Sequence, residues 1–306
     1  MRSSYSAMRM VSIAIFVFSL LLPARAGMAE EPVAVVWAQE VNRLKFEDLD
    51  ENVAHKLRLS VCDWVGVVAH TSQLEQVHRF LAVTDTGGRE EATELVTGRR
   101  VPLAEAAAVN AFAIHGHEID DSNLRNQLRA TCIAVPAPLA AAEFVDSTGK
   151  EFLASLAISY QLSDRLATAM NRQPGGALHR KGWMPSSICG GVGAAAASAK
   201  LFGLDEDQVV SAIGLAAGGA NGLFQYYHDG TDEKKIHVAR SQEIAAESVL
   251  LSQAGFRGAP GSIDGPAGLF AALGFRPDAK QLTKNLQQWD AVMHVKPKFY
   301  SCSQGV

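Results

Sequence analysis

The amino-acid sequence predicts a mainly α-helical protein carrying one short β-hairpin. Three observations predict it. From about Pro32 onward apolar residues recur every three or four positions, the period of a helix with one buried face. Helix-start signals stand at Thr148-Gly-Lys-Glu151 and Asp205-Glu-Asp-Gln208, ahead of long apolar runs. Strand signals are confined to EATELVTGRRVPL (Glu91 to Leu103), with no βαβ alternation anywhere. The 306 residues allow one large domain or two smaller ones. A 48% hydrophobic content and a formal net charge of −4 are ordinary for a globular chain and carry no basic excess for nucleic acid. Alanine and glycine are abundant and aromatics few, so helices are expected to approach one another closely.

Each element follows from its residues. Arg2 and Arg9 precede the apolar run Val11 to Leu22, and PARAGMA follows. Twelve apolar residues are too few to span a bilayer. The pattern fits a secretory signal peptide over residues 1–27, which places the mature protein in the periplasm or outside the cell, with no membrane span. Met28 offers a second start, which would make 1–27 an over-extended gene start and the protein cytoplasmic. In NVAHKLRLSVCDWVGVVAH, Ala54, Leu57, Val61, Val65 and Val68 form one apolar stripe. The hairpin is expected to turn at Gly98. Phe152, Leu156 and Tyr160 share a face of the helix that Thr148 opens, VVSAIGLAAGGANGLF continues from Asp205, and His237 to Ala254 is a further helix stopped by Gly255.

Three polar or glycine-rich stretches are candidates for chemistry. GGVGAAA (Gly190 to Ala196) matches Gly-x-Gly-x-x-Ala, but Pro185-Ser-Ser-Ile-Cys before it makes a poor strand, so a closely packed helix is the reading. HGHEIDDSNLRNQLRAT (His115 to Thr131) crowds ligating and titrating groups between alanine-rich runs. At helical spacing His115 and Glu118 share one face while His117, Asp120 and Asp121 share another, so the five do not converge on one metal. Acidic groups at a helix C-terminus oppose the macrodipole, which is better explained by function than by stability. YYHDGTDEKKIH (Tyr226 to His237) brings Lys234 and Lys235 into the start of a helix, an arrangement suited to a small polycarboxylate. Cys62, Cys132, Cys189 and Cys302 form no CxxC pair, and the first three read as small buried residues.

These segments, in this order, resemble the MmgE/PrpD family of 2-methylcitrate dehydratases, cis-aconitate decarboxylases and related epimerases. The resemblance rests on AVNAFAIHGHEIDDS (Ala108 to Ser122), RATCIAVPAPLAAAE (Arg129 to Glu143), GWMPSSICGGVGAAAASAKLFGL (Gly182 to Leu204), KKIH (Lys234 to His237), GFRG (Gly255 to Gly258) and KPKFYSC (Lys296 to Cys302). It implies an all-helical N-terminal domain over residues 32–290, with residues 291–306 as the truncated start of an α+β lid domain that is otherwise expected to be absent. It also implies a homodimer acting on a small di- or tricarboxylate with no metal and no cofactor.

The resemblance assigns roles position by position. Glu118 stands where the family has its catalytic aspartate and Ser122 where it has threonine. Lys234 and His237 keep the K-x-[LI]-H pattern, and Lys296 or Lys298 matches the later lysine. Catalytic roles are therefore expected of Glu118, His115, Ser122 and Lys234, and substrate contacts of Arg129, His237, Lys296 and Lys298. Two family histidines are replaced by Arg129 and Met184, and a third that decarboxylases carry falls near Cys302. Arginine clamps a carboxylate but does not act as a base, and methionine does neither. The expected function is a metal-independent lyase or isomerase of small polycarboxylates. The alternative is a catalytically inactive paralogue or exported protein that retains the anion pocket.

Overall fold

A glycine- and alanine-rich helix at the centre of the molecule dictates the arrangement. In the computed structural model, residues 31–84, 87–173 and 177–301 are described. The apolar run Val11 to Leu22, Met28 and Cys302 lie outside them. The α-helices are α1 (Val33–Arg43), α2 (Glu51–Thr71), α3 (Glu75–Thr84), α4 (Leu103–Ile114), α5 (Ala130–Ala134), α6 (Pro136–Phe144), α7 (Gly149–Asn171), α8 (Pro185–Leu201), α9 (Glu206–Gly218), α10 (Gln225–Asp229), α11 (Glu233–Gln253), α12 (Leu269–Ala272) and α13 (Ala279–Thr283). The strands are two residues each: β1 (Ala92–Thr93) pairs antiparallel with β2 (Arg100–Val101), and β3 (Ser122–Asn123) with β4 (Val295–Lys296). The mainly α expectation and the single hairpin around Gly98, at φ 78°, agree with this. Among the described residues no helix is long and apolar enough to cross a membrane.

Helix α8 is buried without interruption from Pro185 to Ala199 and packs against α7, α9 and α11. The Gly190 to Ala196 run therefore lies inside a helix and follows no strand, which removes the nucleotide-loop reading. A Cβ on Gly191 would stand 2.9 Å from the Ser241 carbonyl oxygen of α11, and one on Gly193 would stand 2.6 Å from the Ser159 carbonyl oxygen of α7. Only a missing side chain lets three backbones come this near.

The helix boundaries follow local chemistry. Thr148 and Asp205 each make the reciprocal capping box with the residue three positions on, Glu151 and Gln208. Helix α9 stops at Gly218, six residues before the end of the apolar run that predicted it. Helix α11 begins at Glu233, four residues earlier than His237, after Gly230 takes a left-handed turn at φ 67°. Between α5 and α6 the Gln242 side chain of α11 donates to the Ile133 carbonyl (2.9 Å) and accepts from the Ala137 N–H (3.2 Å). It fills one broken helical hydrogen bond beside Pro136, satisfying two buried backbone groups.

Two expectations need correction. On α2 the expected stripe is buried at Ala54, Leu57 and Val68 and half-buried at Val61, with Ser60, Trp64, Val67 and Thr71 beside it, while Val65 is 53% exposed. The large Trp64 ring takes the buried position next to Val65, which leaves that valine on the outer side. Cys62 is exposed, on the outer side of the same helix, unlike Cys132 and Cys189.

The α8 packing yields a stability prediction. Gly193→Ala is expected to lower stability by about 1–3 kcal/mol, the range for overpacking a tight core. Gly66→Ala, where a Cβ meets nothing within 4 Å on α2, is expected to raise it by about 0.4–1 kcal/mol. Urea denaturation of both variants checks the pair, and equal behaviour of the two would refute the close-packing account.

Candidate active site

Helix α4 ends at Ile114, and His115 caps it with φ −89° and ψ 0°. Glu118 then adopts the left-handed conformation at φ 54°, which turns the chain back on itself. The helical spacing expected for this stretch therefore does not apply. His115 and Asp120, expected to point apart, meet: His115 Nδ1 lies 2.9 Å from Asp120 Oδ2, both side chains fully buried. Non-glycine residues held in this backbone region concentrate at functional sites because the surrounding structure must enforce them.

Four other segments converge on the turn. Lys234, in the first turn of α11, donates to Glu118 Oε2 at 2.5 Å. Lys298, just beyond β4, donates to the Glu118 carbonyl at 2.6 Å and stands 3.9 Å from Asp120 Oδ1. Arg129, at the cap of α5, donates through Nη1 to Ser122 Oγ (2.9 Å), and its N–H donates to Ser186 Oγ of α8 (2.9 Å). Asp121 accepts from the Thr131 N–H (2.9 Å) and hydroxyl, and that hydroxyl also contacts Tyr160 of α7 at 2.7 Å.

A cleft of about 310 Å³ opens beside this cluster, within the range of small-molecule sites. Ser122, Arg129, His179, Met184, Ser186 and Lys234 are on its wall, with Leu124, Phe224, Tyr226 and Tyr227 completing an apolar side. A smaller hollow of about 200 Å³ contains Glu118 and shares Lys234, Tyr226 and Tyr227, so the Glu118–Lys234 pair stands between the two.

The expected site residues divide accordingly. Glu118, Ser122, Arg129 and Lys234 are brought together. Lys298 reaches the same turn, whereas the Lys296 side chain is exposed and only its backbone joins β4 to β3. His115 is buried behind the wall with Nε2 unpartnered. His237 lies one turn beyond Lys234 and behind Tyr226 (ring centroids 6.2 Å apart), its ring bonded to the Leu223 backbone. His179 was not foreseen: it lies in a 3-10 turn (Leu178–Lys181), five residues before Met184, and nothing in LHRKGWM marks it.

The charges are set by burial and by each other. Burial pushes the Glu118 carboxyl up, but Lys234, His115 and Arg129 together bring it below its ordinary range, so it is ionised at neutral pH. Burial lowers Lys234, with Glu118 acting against it. Asp120 is opposed by burial yet held at about 2 by His115, Lys298 and Arg129, and burial dominates His115, which is lowered. His115, Asp120 and Cys132 offer three ligand atoms within 4.8 Å of one another. Burial pushes the Cys132 thiol well up, and the Lys298 ammonium stands 3.9 Å from Asp120 Oδ1, so the trio makes a poor cation site.

The model of the MmgE/PrpD N-terminal domain matches residues 37–282. The chain belongs to the MmgE/PrpD family. It is 27% identical to a cis-aconitate decarboxylase-like protein of Aspergillus oryzae, over 87% of this chain and 57% of that protein. It is 23% identical to the cis-aconitate decarboxylase of Aspergillus terreus, over 91% of this chain and 58% of that one. The human cis-aconitate decarboxylase is 24% identical over 77% of this chain and 49% of its own length. The chain thus spans about half the length of the curated relatives it matches.

Asp121 yields a pH prediction. Burial, with help from Asp120 and Asp63, outweighs the Thr131 donors and raises its carboxyl from 3.8 to about 7. The folded state then holds a proton that the unfolded chain releases, so this group's contribution to stability is full below about pH 4 and is lost as pH rises to about 7. Asp120 acts in a different window, its contribution being lost only as pH falls from about 4 towards 2. Asp121→Asn is expected to flatten the fall in Tm between pH 4.5 and 7.5. Identical Tm–pH slopes in the two proteins would contradict it.

Proposed function

We propose that the cleft binds a small polycarboxylate and transfers a proton at the carbon beside one of its carboxylates, the first step of a lyase reaction. One observation carries this reading. Arg129 is 6% exposed, sits on the cleft wall and, among the described residues, has a serine hydroxyl as its side-chain partner and no acidic group. Glu118 and Asp120 act on this guanidinium only through space, which leaves its donors short of a carboxylate partner, and a bound carboxylate accepts two parallel hydrogen bonds from it.

The remaining roles follow from the charges. Lys234 is the second cation on the wall, and its partner Glu118 is a carboxylate. A substrate carboxylate drawn to Lys234 competes with Glu118 and releases it. Glu118, ionised at neutral pH, then accepts the proton. The electron pair left behind spreads into the adjacent carboxylate, which Arg129 and Lys234 stabilise. Lys298 holds the Glu118 backbone carbonyl and so fixes the left-handed turn that aims the side chain. The names of the relatives support a lyase acting on a small acid.

Incubating purified protein with cis-aconitate and 2-methylcitrate, with calorimetry alongside, tests this. Glu118→Gln is expected to reduce turnover at least about 100-fold while binding persists. Arg129→Ala is expected to weaken binding about 10- to 100-fold, the worth of charge-assisted hydrogen bonds. Binding without turnover in the unmodified protein would assign it a carboxylate-binding role. Neither binding nor turnover with any small carboxylate would end the proposal.

A further inference from the structure

The cleft wall is unequally divided, and the division bears on which carboxylate it takes. Among the described residues its fixed positive charges are two, Arg129 and Lys234. The third cation of the neighbourhood, Lys298, is spent beneath the wall on the Glu118 carbonyl and on Asp120. His179 adds no fixed charge, since burial and then Arg180 hold its ring towards the neutral form. Of the rest of the lining, Ser122, Gln127 and Ser186 are polar, and Leu124, Met184, Pro185 and the Phe224, Tyr226 and Tyr227 rings form an apolar side. Met184 is 2% exposed where the family motif has a histidine. Phe224 stands with its ring centroid 5.3 Å from those of both Tyr226 and Tyr227, and Leu124 lies at the rim, 48% exposed.

We infer that the cleft selects a dicarboxylate bearing an apolar substituent over a tricarboxylate. This rests on the reading of the cleft as a carboxylate site and names its substrate class. Two carboxylates match the two cations. A third, placed against Met184 and the aromatic rings, would lose its water and gain no partner, which penalises it heavily. An alkyl or similar chain in the same place loses nothing and gains burial, and the flexible thioether of Met184 adjusts to its shape. The histidine-to-methionine change thereby moves the site towards an amphipathic acid.

Calorimetric titration of the full chain with succinate, 2-methylsuccinate, 2-butylsuccinate and tricarballylate tests the inference. Affinity is expected to rise about fourfold for each added methylene, and tricarballylate to bind no more tightly than succinate. Met184→Gln is expected to flatten the chain-length series while leaving succinate binding in place. Leu124→Asn, at the exposed rim, should reduce the gain from the butyl chain even if the buried Met184 variant fails to fold. Arg129→Ala should weaken every acid alike. A flat series, or tricarballylate bound more tightly than 2-butylsuccinate, overturns the inference while leaving the carboxylate site intact. No binding by any of the four acids overturns both.

Discussion

The close approach of α7, α8 and α11 is the constraint on which the rest depends. Each contact runs through a position where a single added carbon would strike a neighbouring backbone, at Gly191 and Gly193. Because α8 lies so near α7 and α11, its N-terminal turn brings Ser186 against Arg129. The first turn of α11 likewise brings Lys234 against Glu118. Larger side chains on α8 would push these helix ends apart, and the site would open with them. Packing and chemistry are therefore coupled through the same small residues.

Within that frame the turn after α4 is held by charge. Glu118 and Asp120 are carboxylates drawn out of water, and each meets a cation from a distant segment, Lys234 from α11 and Lys298 from beyond β4, while the neighbouring His115 ring hydrogen-bonds Asp120. Buried charges without partners destabilise a fold, so these pairings specify where the segments dock as much as they stabilise them. The pairing is left incomplete at Arg129, whose guanidinium lies on the cleft wall with a serine hydroxyl as its side-chain hydrogen-bond partner.

Much of the architecture was legible in the residues. Thr148 and Asp205 open helices because their side chains accept the first free backbone N–H groups, and this local chemistry needs no tertiary partner. The hairpin at Gly98 is equally local. The stripe on α2 was read correctly at Ala54, Leu57 and Val68 and wrongly at Val65, because Trp64 takes the adjacent buried position. The stretch from His115 to Asp121 was misread for a related reason. Helical spacing placed its groups on two faces, but the helix had already ended, and the left-handed turn at Glu118 brought His115 to Asp120.

By itself the sequence determined the helical class, the principal caps and the ordered motifs by which the family is recognised, since all of these are properties of near neighbours along the chain. It also determined that Glu118, Arg129 and Lys234 belong to one constellation, through motif order. The tertiary structure decided which groups face the cleft. Lys298 turns to Glu118 while Lys296 remains exposed, His115 and His237 stand behind the wall, and His179 reaches it from an unmarked turn. These outcomes depend on long-range docking and on the desolvation of particular side chains, and neither is encoded in local spacing.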